Sequence, residues 1–78
     1  MQIFIRTTVG KVYTIDAGPD MTIGDLKKEI YSRTGVRPDG QKLLFMGKIL
    51  DDSKTLEHYE IKEECSIYLM LTMVGGHF

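Results

Sequence analysis

Apolar and polar residues alternate from Met1 to Thr7, with Met1, Ile3 and Ile5 on one face and Gln2, Phe4 and Arg6 on the other. That is the period of a half-buried strand. Val9-Gly10 reads as a turn. Lys11 to Ala17 then alternates again, with Tyr13, Ile15 and Ala17 set against Val12, Thr14 and Asp16. The two segments predict an antiparallel hairpin, ended by Gly18-Pro19. At Thr22 the period changes. Thr22 followed by Asp25 is the signature of a helix N-cap, and Ile23, Leu26 and Ile30 recur at helical spacing. A helix of about three turns is implied. It stops at Gly35, which tolerates the left-handed conformation common past a helix end, and Pro38 prevents resumption, so Gly35 to Gly40 is expected to be a loop.

Gln41 to Phe45 forms a short apolar strand, Met46-Gly47 offers a tight turn, and Lys48 to Leu50 can return as a brief partner strand. Asp51 to Lys54 is polar surface. Leu56, Tyr59 and Ile61 are apolar anchors on a long connection, and Cys65 to Thr72 is the last strand, with Ile67, Leu69 and Leu71 facing the core. Strands flanking a single helix, without alternation of strand and helix throughout, predict an α+β domain. The expected architecture is a β-grasp: a mixed five-stranded sheet with one main helix packed on one face. Residues 1–73 are assigned to this domain and residues 74–78 to a flexible C-terminal tail.

The composition supports one folded domain and removes several functions. A chain of 78 residues, 42% hydrophobic and 27% charged, can hold a single hydrophobic core. Its net charge of −1, from 10 basic and 11 acidic residues spread along the chain, concentrates no field on phosphates, so nucleic acid is not an expected partner. Neither a membrane partner nor a signal peptide is expected from its apolar runs, and the default location is cytoplasmic and nuclear. Cys65 is the only cysteine, so no internal disulfide is expected, and with His58 and His77 it shows none of the paired spacings of a zinc site. No metal, no cofactor and a monomer are the expectations. Nucleophile elbow, phosphate-cradling loop and paired ligand motifs are missing from the sequence, which therefore predicts no catalytic residues and no enzyme.

The candidates for function lie on the strands and the tail. The last strand is apolar on both sides, because Tyr68 and Met70 oppose Ile67, Leu69 and Leu71. If Leu44 points away from Leu43 and Phe45, it joins Tyr68 and Met70 in an exposed apolar patch, the usual mark of a protein-binding surface. The plainer reading packs these residues beneath loops or against a partner domain. Gly75-Gly76, without β-carbons, could thread a narrow channel in a processing or activating enzyme. Lys11, Lys27, Lys28, Lys48, Lys54 and Lys62 read as a solvated surface interspersed with Asp25, Glu29 and Asp52. Cys65 reads as a small hydrophobe and His58 as a surface residue of a turn.

MQIF at the start, Gly10-Lys11, Thr22-Ile23, Pro38-Asp39, Phe45-x-Gly47-Lys48, Thr55-Leu56-x-x-Tyr59-x-Ile61 and Gly75-Gly76 together resemble the ubiquitin family, in register from Met1 to Gly76. The resemblance implies that the carboxylate of Gly76 is adenylated by an activating enzyme, passed to a cysteine as a thioester and joined to a lysine amine. His77 and Phe78 block that carboxylate, so a protease cutting after Gly76 is implied first. Thr72 and Val74 stand where the family's modifier has two arginines, removing both charged contacts to the activating enzyme. The family's recognition patch maps onto Thr8, Leu44, Tyr68 and Met70, losing an aliphatic residue at Thr8 and a histidine at Tyr68. Partner preference should differ accordingly. Among chain-building lysines, Lys11, Lys27 and Lys48 match family positions, whereas Arg6, Glu29, Arg33 and Glu63 occupy others. Lys48, beside the patch, is the first acceptor candidate and Lys11 another, with Lys27 assigned a structural role. Two readings stay open. One is a modifier precursor served by activating and conjugating enzymes and a processing protease. The other is a non-conjugated domain of a longer protein docking to proteasomal or adaptor receptors that bind ubiquitin.

Overall fold

A computed structural model describes residues 1–71 of the chain. The hairpin forms as the alternation requires. β1 (Gln2–Thr7) and β2 (Val12–Asp16) pair antiparallel, Ile3 opposite Ile15 and Ile5 opposite Tyr13, with Ile3, Ile5 and Ile15 fully buried. The connecting turn is closed by the Thr7 amide donating to the Lys11 carbonyl and the Gly10 amide to the Thr7 carbonyl. Gly10 holds φ at 85°, a conformation that glycine adopts without strain.

α1 (Ile23–Thr34) begins where the Thr22 hydroxyl accepts the Asp25 amide at 3.1 Å and ends at Gly35, φ 79°. Two amides left over at its first turn are taken up from outside the helix: Ile23 donates to the Lys54 carbonyl and Gly24 to the Asp52 carbonyl. The polar stretch after the fourth strand is thereby fastened to the helix start. Ile23, Leu26 and Ile30 face the sheet and are buried. Lys27 is buried with them, its amino group 2.7 Å from the Asp52 carboxylate, so the expectation of a solvated Lys27 does not hold and its structural role does. Its alkyl stem covers apolar surface while its charge meets a carboxylate at the rim.

β3 (Gln41–Phe45) and β4 (Lys48–Ile49) form a second hairpin through Met46-Gly47, both at positive φ. β5 (Ser66–Leu71) completes a sheet of order β2-β1-β5-β3-β4. β5 runs parallel to β1 and antiparallel to β3, so the sheet is mixed. One helix covers one face of five strands, the α+β β-grasp expected from the pattern. Leu43, Leu56, Ile61, Ile67 and Leu69 close the core from the sheet and the long connection.

The structure differs from expectation in several further places. The Gly35 to Gly40 loop contains a 3₁₀ turn at Pro38–Gly40, and a second 3₁₀ turn, Glu57–Tyr59, interrupts the long connection. The last strand begins at Ser66, with Cys65 just before it, half-buried against the core and accepting the Lys62 amide at 3.2 Å. Leu71 is 50% exposed although it lies on the helix-side face, because it ends the strand at the margin of the core. Thr72 and the expected tail lie outside the described residues.

Candidate recognition site

The strand register assembles the site on the face opposite the helix. Residues paired directly across neighbouring strands share a face. In β3 and β5, Leu44 is opposite Tyr68 and Lys42 opposite Met70; in β3 and β4, Leu44 is opposite Ile49; in β1 and β5, Arg6 is beside Tyr68. One continuous row therefore runs Ile49, Leu44, Tyr68, Arg6 across four adjacent strands. Tyr68 is 56% exposed, Met70 43% and Ile49 60%, so the row presents apolar surface to solvent. Leu44 is half-buried between them rather than exposed, because neighbours stand on both sides of it; it forms the floor of the patch.

Thr8, Leu44, Tyr68 and Met70 line a single open groove of about 590 Å³, which Met46 and Arg6 also line. The four predicted contact residues thus come together. Thr8 reaches the groove from the β1–β2 turn and is exposed there. Ile49 and Met46 were outside the sequence reading. Register pairing of the second hairpin would have found Ile49, whereas Met46 sits in a turn, where alternation carries no information.

Cations frame this apolar surface. Arg6, Lys42 and Lys48 take part in none of the four ion pairs among the described residues; Arg6 donates to the Ser66 hydroxyl at 3.1 Å. Among the described residues the site therefore offers apolar surface at its centre and cations outside any ion pair around it, suited to a partner with an apolar stripe flanked by carboxylates. Lys48 is exposed, follows Gly47 of the groove lining, and itself lines a neighbouring hollow with Phe45, Tyr59 and Glu60. Lys11 is also exposed but stands apart, on a second hollow of about 230 Å³ with Val36 and Leu71. Gly75 and Gly76 lie outside the described residues.

Behind β4 the surface is pinned by polar contacts. The Asp51 amide donates to the Tyr59 hydroxyl at 2.8 Å. The Asp51 carboxylate accepts the Ser53 amide and the Ser53 hydroxyl, both at 2.9 Å, and these bonds hold its pKa below the ordinary value. His58 is exposed in the second 3₁₀ turn, its ring edge-on to Tyr59. Among the described residues, no three His, Cys, Asp or Glu side chains come together as metal ligands.

A family model described as the ubiquitin family matches residues 3–74. The chain belongs to the ubiquitin family. Among its relatives is ubiquitin-like protein 1 of Schizosaccharomyces pombe, 29% identical over 76 residues that cover 97% of each chain. The ubiquitin-like protein NEDD8 of Dictyostelium discoideum is 33% identical over 76 residues, 97% of this chain and 99% of the relative. Human UV excision repair protein RAD23 homolog B is 36% identical over 75 residues, 92% of this chain but only 18% of that protein. Ubiquitin-family relatives of this chain thus include both single-domain proteins and domains within much longer ones. Members of the family are in general modifiers or recognition domains and not enzymes.

Proposed function

We propose that this protein is a ubiquitin-like modifier precursor, cut after Gly76 and joined through the Gly76 carboxylate to lysines of target proteins in the cytoplasm and nucleus. Receptors then read it through the outer face of the sheet. The observation that carries the recognition half is the row Ile49, Leu44, Tyr68, Arg6, which is apolar at its centre and cationic at its end. Docking there buries Tyr68 and Met70 and brings acidic groups of the partner to Arg6, Lys42 and Lys48. The covalent half is supported by Gly75-Gly76, by the exposure of Lys48 and Lys11 as acceptors, and by similarity over nearly the full length of two single-domain relatives.

A second reading makes the chain a non-conjugated domain of a longer protein. It is favoured by Thr72 and Val74, which replace the arginines of the family's modifier, and by the human RAD23 relative, of which the matching stretch is a small part. Expression of the native gene product with different epitope tags at its two ends separates the readings. Loss of the C-terminal tag, with an N-terminal-tag ladder that disappears in Gly76→Ala, is the result expected of the modifier. Both tags on one unshifted band would overturn conjugation and leave the recognition domain.

A further inference from the structure

We propose that the groove is a site of reversible methionine oxidation, and that conversion of the Met46 and Met70 thioethers to sulfoxides switches its docking off. The inference rests on the reading of the groove as a docking surface and concerns its regulation. Met46 and Met70 both line this groove, one from the β3–β4 turn and one from β5. They are 81% and 43% exposed, whereas Met1 and Met21 are half-buried against the core. Of the four methionines among the described residues, an oxidant in solution therefore reaches the groove thioethers first.

The placement of Met46 singles it out. It holds φ at 54°, in the left-handed region that glycine, asparagine or aspartate occupies with less strain, and it presents an apolar side chain to water. Neither the conformation nor the solvation of the turn favours methionine. A partner seated over the groove covers this side chain, and that is the contact proposed for it. Met70 lies opposite Lys42 and two residues from Tyr68, at the centre of the surface a partner covers.

In the reaction a sulfur lone pair attacks one oxygen of a hydroperoxide. The O–O bond breaks, the S–O bond forms, sulfur is oxidised by two electrons, and hydrogen peroxide is reduced to water. A dithiol reductant reverses it: the sulfoxide oxygen leaves as water and the dithiol becomes a disulfide. The sulfoxide puts a strong hydrogen-bond acceptor on side chains that otherwise present apolar surface, so a partner that closes an apolar stripe over it must desolvate an added polar group. Affinity is expected to fall about tenfold or more.

The test uses the full chain and a fluorescein-labelled helical peptide carrying a leucine stripe flanked by glutamates, with binding read by anisotropy before and after dilute hydrogen peroxide. Peptide mapping by mass spectrometry locates each added oxygen, and circular dichroism checks that the fold is kept. The expected result is oxygen on Met46 and Met70 before Met21, affinity down about tenfold with unchanged dichroism, and recovery with methionine sulfoxide reductase and dithiothreitol. In M46L/M70L, which keeps Met1, Met21 and Met73, the ratio of affinities before and after peroxide should stay near unity, whatever its starting value. Full affinity with Met46 and Met70 both oxidised, or equal loss in the double variant, would overturn the switch. Absence of peptide binding before any oxidation would instead sink the docking reading, and the switch with it.

Discussion

Leu44 shows how a side chain can be half-covered by its neighbours on a face turned away from the core. It is flanked across the sheet by Ile49 and Tyr68 and is half-buried before any partner arrives. Leu44→Asp should weaken binding of the glutamate-flanked peptide by about tenfold or more, because a desolvated carboxylate replaces an apolar floor. It should also lower stability by about 1 kcal/mol in urea titration, since the site is partly packed in the free protein. A fully unfolded variant would mean that Leu44 belongs to the core alone. Lys27 and Asp52 make a contrasting case. Asp52→Ala leaves an almost buried amino group without its carboxylate and should cost about 1–3 kcal/mol, while Lys48→Ala at an exposed position should stay within about 0.5 kcal/mol of the parent. Asp51 has a folded pKa below its ordinary value, so the order it gives the turn is complete above that value and is lost as pH falls through the lower, folded one. The Ser53 amide resonance should move across that acidic window, and in Asp51→Asn the movement should vanish.

Among the elements, the helix carries the clearest local signal. Thr22, Asp25 and Gly35 mark its ends in the sequence, and the structure uses all three as read. Thr22→Ala should cost about 1 kcal/mol by thermal or urea unfolding, because the Asp25 amide loses its acceptor. The strands were legible wherever one face is buried, since alternation then has a physical cause: Ile3, Ile5, Ile15, Leu43, Ile67 and Leu69 all lie where their period put them. Alternation names a face but not how far the core extends along it, so Leu71 was read as core and is half exposed. The turns at Pro38–Gly40 and Glu57–Tyr59 were missed because three residues are too few to express a period. Of the residues that line the groove, Thr8, Leu44, Tyr68 and Met70 are those the sequence singles out, the strand residues partly by pattern and all four by family resemblance. Met46, which lines the groove, and Ile49, which extends the row of Leu44, escaped because their placement depends on the register of a two-residue strand and its turn.

At the scale of the molecule, one face of the sheet is committed to the helix and the core while the other, among the described residues, carries the open groove, so stability and the proposed recognition are drawn from opposite sides of the same strands. The central pairing of β1 with β5 joins segments from the two ends of the described chain, and they point the same way. That arrangement has a mechanical consequence. Tension applied between Gln2 and Leu71 drags β1 and β5 past each other lengthwise, loading their hydrogen bonds together in shear, and forced unfolding is governed by the rate at which that set fails at once. Gln41 and Leu71, by contrast, face each other at one end of the β3–β5 ladder, and tension between them opens the bonds in succession like a zip. Single-molecule pulling through handles at the first pair should need distinctly more force than at the second; equal forces would show that the β1–β5 seam is not what bears the load. A protein of this build resists or yields to an unfolding motor according to where it is gripped.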